Sequence, residues 1–94
     1  MPTFVLRTTL KLRTRPELTS DLAGTGTVRA GARVRVLASS KLNDGTERRC
    51  LALEGHTEPL GWVSAYVNGQ ANLLTDAEAQ AAKVALLMAS RKYL

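Results

Sequence analysis

The stretch Gly26-Thr27-Val28-Arg29-Ala30-Gly31-Ala32-Arg33-Val34-Arg35-Val36-Leu37 constrains the fold more than any other part of the chain. Ala32, Val34 and Val36 alternate with Arg33 and Arg35, the period of a strand with one buried and one wet face. A one-residue slip in pairing would bury both arginines, so the register is strongly specified. Val28 precedes the run, and Gly31 takes φ > 0 without steric cost. The stretch therefore reads as strand, tight turn, strand: a hairpin.

Further strands are expected on either side. Phe4-Val5-Leu6 opens a β-prone run, and Leu10-Lys11-Leu12-Arg13 alternates so that Leu10 and Leu12 face in. Arg15 to Asp21, with Pro16 and a Thr/Ser/Asp cluster, is a loop long enough to carry function. Leu18 and Leu22 are expected to tuck it against the barrel. Gly24 and Gly26 mark a bend or bulge. Ser39 to Glu47 reads as a polar loop, with Asn43-Asp44-Gly45 as a hairpin signal. In the returning strand Arg48 to Leu53, Leu51 and Leu53 are assigned to the core. Cys50 and Ala52 fall on the other face, beneath a close-packed second element. Glu54 to Pro59 is a polar turn, Leu60 to Ser64 a short strand continued by Ala65 to Val67, and Asn68-Gly69 a turn. Ala71 to Leu74 is the last candidate strand.

A helix follows. Thr75 is placed to cap the free N–H groups, with Glu78 completing a capping box. Asp76 and Glu78 suit the positive end of the dipole, and Arg91 and Lys92 the negative end. Ala77, Ala81, Val84, Ala85 and Met88 line one stripe, which Ala82, Leu86 and Tyr93 widen. Two placements are open: packed on the barrel, or against another chain, a second copy included. Ala81, Val84, Ala85 and Met88 are the interface residues in either case. The domain boundary falls near Leu74, with the barrel over 1–74 and the helix over 75–94.

Composition narrows the function classes. The 94 residues form one domain with a thin core, and aromatics are 4% of the chain, so Leu, Val and Ala must build it. Net charge is +5. Residues 1–49 hold ten Lys/Arg against four acids, and residues 50–94 three against four. A basic half admits an anionic partner. Cys50 and His56 are the only residues of their types, so internal disulfides and Cys- or His-cluster metal sites are excluded. No cofactor is expected. The single Cys favours a reducing compartment such as the cytoplasm. Met1-Pro2-Thr3-Phe4 does not open a secretory signal, though a mature form or an excised domain would look the same. No apolar run approaches the roughly 20 residues of a transmembrane helix. Cys50 and His56 have no third partner for nucleophilic catalysis, and Gly24-x-Gly26 precedes no helix start, so no enzyme is expected.

Leu10-Lys11-Leu12-Arg13-Thr14-Arg15-Pro16-Glu17-Leu18-Thr19-Ser20 resembles the opening of bacterial-type SH3-like (SH3b) domains. Gly26 to Leu37 is similar to their Gly-Thr-hydrophobic segment, basic turn with Gly, and alternating Val strand. Gly61-Trp62-Val63 looks like the Gly-Trp-Val that closes them. The resemblance implies a mainly β fold: a small SH3-like barrel of about five to six strands plus the C-terminal helix. It also implies a groove between the Arg15–Asp21 and Ser39–Glu47 loops, and a cell-wall or glycan ligand. The chain departs from the pattern at Arg15, where Gly is common, and at Arg48-Arg49-Cys50, where an aromatic is usual. The added helix also lies outside it.

The candidate partner-binding residues are Arg15, Glu17, Arg33, Arg35, Trp62 and Tyr66. Trp62 reads either as an exposed anchor or as the main core plug of an aromatic-poor barrel, with the plug slightly favoured. Arg33 and Arg35, with Arg48 and Arg49 across the sheet, read as a cationic strip that an anion would relieve, or as surface charges paired with Glu47, Glu54 or Glu17. The first expectation for function is a non-catalytic protein-interaction module or accessory subunit. A basic barrel for RNA or another polyanion, and a wall-targeting module, are the alternatives.

Overall fold

A computed structural model describes residues 2–91. The fold is mainly β with one C-terminal helix: β1 (Phe4–Leu6), β2 (Leu10–Arg13), β3 (Leu22–Val28), β4 (Arg33–Lys41), β5 (Glu47–Leu53), β6 (Gly61–Ser64), β7 (Tyr66–Val67), β8 (Gln70–Ala71), β9 (Leu73–Leu74) and α1 (Asp76–Arg91). Seven strands form one antiparallel sheet in the order β3-β2-β6-β5-β4-β1-β9, and β7 and β8 form a separate hairpin. Asn68 at φ 50° and Gly69 at φ 77° give that hairpin the two left-handed residues a tight two-residue turn requires.

Leu6, Leu12, Val28, Val34, Leu51 and Val63 form one core cluster, one residue from each of β1 to β6. Because β1 and β3 lie towards opposite ends of the strand order, the sheet curls around this cluster. The turn after β3 meets β1. The Leu6 N–H donates to the Ala32 carbonyl at 3.0 Å and the Gly31 N–H to the Leu6 carbonyl at 2.8 Å.

Those bonds correct the expected hairpin. β3 pairs with β2, whereas β4 pairs with β5 and β1. The turn is held from β1 and from Thr9, whose Oγ1 accepts from the Ala30 N–H at 3.1 Å. The chain therefore crosses from one end of the sheet to the other instead of folding back on itself.

The β4–β5 hairpin is longer than its polar composition suggested. Ser39, Ser40 and Lys41 are strand residues paired with Arg49, Arg48 and Glu47, so the loop shrinks to Leu42–Thr46. Gly45 takes φ 90°, and the Thr46 N–H donates to Asp44 Oδ1 at 2.9 Å. A register shift between Val36 and Ala38 keeps Val34 and Val36 inward while moving the polar end of β4 into phase with β5.

Three apolar assignments are corrected. Leu18 and Leu22 are 46% and 53% exposed, and Leu53 is 36% exposed. The 14–21 loop is fastened by polar bonds rather than by leucine burial. Leu53 lies beyond the β5–β6 pairing, which ends at Leu51 and Gly61. On the other face of β5, Arg48, Cys50 and Ala52 are all buried. The helix packs instead on β1 and β9, and within the sheet Cys50 is flanked by Ala38 and Trp62.

The capping box forms as its sequence dictates. The Thr75 N–H donates to Glu78 Oε1 at 3.0 Å and the Glu78 N–H to Thr75 Oγ1 at 3.2 Å. The first turns of α1 lie against β1 and β9, with Ala79 half-buried. From Gln80 to Ser90 every residue is exposed. The helix does not fold back over the sheet along this length. Lys92 and Tyr93, expected at its C-terminal end, lie outside the described residues.

Candidate binding surfaces

The six expected partner-binding residues separate into distinct places. Arg33 and Arg35 face one side of β4. Arg33 is committed to acids: Nε donates to Glu54 Oε1 at 3.2 Å, and Nη1 to Asp76 Oδ1 at 2.7 Å. This clamp joins the β4 start, the β5–β6 turn and the first turn of α1. Hydrogen bonds from Arg33 hold the Asp76 and Glu54 carboxyls below the usual carboxylate range, and the same pairs raise the Arg33 guanidinium above its ordinary value. Arg35 is half-buried and donates to the His56 carbonyl, folding the 54–59 turn towards β4.

Arg48 departs most from expectation. It was a candidate member of a cationic strip, yet it is 3% exposed. Its Nε donates to the Pro16 carbonyl at 2.8 Å, Nη1 to Ser64 Oγ at 2.7 Å and Nη2 to the Trp62 carbonyl at 3.4 Å. One guanidinium thus ties the 14–21 loop to β6. Burial, and secondarily the nearby Arg13, lower its pKa from the ordinary arginine value. Arg49 turns to Glu47 at 3.8 Å. With Arg33 clamped, Arg48 buried and Arg49 paired, the four arginines do not make a strip.

Ser20 organises the same loop. It is buried, and its hydroxyl donates to the Arg15 and Glu17 carbonyls at 2.9 and 2.8 Å. Arg13 Nη1 donates to the Ser20 carbonyl at 3.0 Å. The side chains of Arg15 and Glu17 remain exposed. Trp62 is half-buried and is absent from the core cluster, so the core-plug reading is corrected. Its strand alternation gives the interior to Val63, and Trp62 stands on the outer face between Cys50 and Arg13. Tyr66 is 49% exposed on the β7–β8 hairpin.

Gly61, just before Trp62, has φ 149°, and a Cβ there would lie 2.9 Å from the Arg13 carbonyl and 3.0 Å from Ala23 Cβ. The glycine of the Gly-Trp-Val piece is therefore required by close approach of β2.

Sequence reasoning missed two features. An apolar groove of about 840 Å³ runs beside β3, lined by Leu12, Leu22, Val28, Leu53 and Leu60 among others, with Arg29 its one charged residue. It lies within the size range of small-ligand sites. Its leucines are distant in sequence, and only the exposed placement of Leu22 and Leu53 opens it. The second is a buried polar knot. Asn72, fully buried, donates through Nδ2 to the Ser64 carbonyl at 2.8 Å and accepts at Oδ1 from Arg7 at 3.1 Å. No local sequence signal marks it.

The apolar residues of α1 are presented to solvent: Val84 is 44% exposed, Leu86 70%, Leu87 64% and Met88 63%, with Ala81 and Ala85 exposed beside them. Burial pushes the Cys50 thiol up, away from the thiolate that a nucleophile needs. Among the described residues no group of three or more His, Cys, Asp or Glu side chains is placed to hold a metal, and no helix is long and apolar enough to cross a membrane. No protein family, curated protein or solved structure matches this chain.

Proposed function

We propose that the chain is a non-catalytic protein-interaction module, or a small accessory subunit of a larger complex, with α1 as its docking element. The observation that carries the proposal is the exposure of Val84, Leu86, Leu87 and Met88 on a helix that meets the sheet only at its first turns. An isolated helix of 16 residues is only marginally stable in water, and tertiary packing of an apolar face normally supplies the rest. A partner covering the Ala81–Val84–Ala85–Met88 stripe would supply that packing. A second copy of this chain is one such partner.

The test is co-purification from the native source with tagged wild type and with a Val84→Lys/Met88→Lys variant. The wild type should retain a defined protein partner at about 0.5 M salt, where the Debye length is only a few ångströms. The variant should lose it with an unchanged β circular-dichroism spectrum. Retention by both forms would reject α1 as the docking element. Retention only at low salt would favour a polyanion.

A basic surface for RNA or another polyanion ranks second. Lys11, Arg13 and Arg15 have no acidic partner among the described residues, but no row of stacking aromatics accompanies them. The SH3-like reading is supported by the three motif pieces, which contribute Leu12, Val28, Val34 and Val63 to one core. Wall targeting would rest on that reading, and failure to pellet with purified cell walls would remove it.

A further inference from the structure

We propose that the cleft between β2, β6 and the 14–21 loop binds the phosphate group of a small phosphomonoester. The cleft measures about 270 Å³ and is lined by Leu10, Lys11, Arg13, Leu18, Arg48 and Ser64. Three of these six residues are cations and none is an acid. Register places Arg13, Arg48 and Ser64 on one face: Arg48 is opposite Ser64, and Arg13 is opposite Trp62, the residue two before Ser64 on β6.

The contrast with Arg33 and Arg49 is what makes the cleft informative. Arg33 has two carboxylates and Arg49 has one. Arg48, 3% exposed, has only neutral oxygens, from Pro16, Ser64 and Trp62. Those bonds orient its guanidinium without cancelling its charge. Arg13 likewise donates to a neutral carbonyl, that of Ser20. Two guanidinium groups close enough to repel each other therefore share a cleft with an ammonium group. A guanidinium presents five N–H donors in a fixed plane, and Arg48 uses three in these bonds, leaving N–H groups for an oxyanion. The Ser64 hydroxyl adds a polar group that can rotate towards it. A doubly charged tetrahedral oxyanion satisfies converging cations from several directions better than a planar singly charged carboxylate does. Leu10 and Leu18 add apolar lining that suits a short organic tail. The site is independent of α1, so its failure would leave the docking proposal intact.

The test is a nitrogen–proton NMR titration of the full chain with inorganic phosphate, then glycerol phosphate, and acetate as control. The pH is about 7.5, where a phosphomonoester carries nearly two charges, and ionic strength is held at about 0.15 M with chloride. Saturable shifts confined to Lys11, Arg13, Leu18, Arg48 and Ser64 are expected, with acetate much weaker. Arg13→Gln should raise the half-saturation concentration about 10-fold, through loss of a charge-assisted contact. Lys11→Gln, at an exposed position outside the core, should raise it by a smaller factor. Equal binding of acetate would overturn the assignment of phosphate. Unsaturating shifts spread over all arginines would reduce the cleft to ordinary screening. Tighter binding of an RNA oligonucleotide than of glycerol phosphate through the same residues would replace the small ligand with a polyanion.

Discussion

Arg48 shows how one residue can serve a loop and a sheet together. Its three neutral acceptors belong to the 14–21 loop, to Ser64 and to the Trp62 backbone. Arg48→Met keeps the volume and deletes every donor. It should destabilise the chain by about 2–4 kcal/mol, since buried acceptors are left without partners. Urea unfolding checks the loss, and faster amide exchange at Ser20 would localise it to the loop. Unchanged stability would mean that the loop is held mainly by Ser20 and Arg13. Gly61 is the steric counterpart. Adding a methyl group there meets the Arg13 carbonyl at 2.9 Å. Gly61→Ala should therefore cost about 1–3 kcal/mol, the range of overpacking changes, again read by urea unfolding. Neither role was visible in the sequence. Arg48-Arg49 reads as surface charge because only distant segments supply its acceptors, and Gly61 reads as a family feature because β2 approaches it from about fifty residues away.

At the scale of elements, local signals held and long-range ones did not. The Asn43-Asp44-Gly45 and Asn68-Gly69 turns and the Thr75–Glu78 box each depend on a few neighbouring residues, and each forms. The hairpin expected at Gly31 failed because its partner choice depends on β1, which the stretch itself does not contain. The direction of α1 also depends on distant groups, through Arg33. Thr75→Ala should weaken the helix by about 1 kcal/mol, measured as lost helical ellipticity with the β signal retained. The clamp should respond to acid. Arg33 lowers the native pKa values of Asp76 and Glu54, so their contribution is complete above the usual carboxylate range near 4 and is lost as pH falls through the lowered values. In a titration, the Arg33 Nε resonance should be flat from about pH 7 to 5 and move below about 4. A transition between 6 and 7 would show that another group controls the clamp.

At the scale of the molecule, sheet and helix are unequal. The core cluster contains residues of β1 to β6 and none of α1. Truncation after Leu74 should therefore leave a cooperative fold with a midpoint close to that of the full chain, while any partner held through α1 is lost. A collapsed β spectrum would instead make the helix part of the folding unit. The mainly β class and the terminal helix were legible from strand alternation and from the cap. The groove and the cationic cleft were not, because each is assembled from residues far apart in the chain. The sheet also has an end. β3 pairs on one side with β2 and, among the described residues, has no neighbour beyond it in the strand order, a position that in many proteins templates the pairing of a second chain. Here Gly24 at φ 55° and Gly26 at φ 85° break its regular extension, and its register to β2 slips between Lys11 and Arg13. An incoming strand would find its hydrogen-bonding groups out of step within a few residues. The β3 end of the sheet is thus a poor template for further copies of the chain, and the recruitment that builds fibrils is blocked there by backbone geometry.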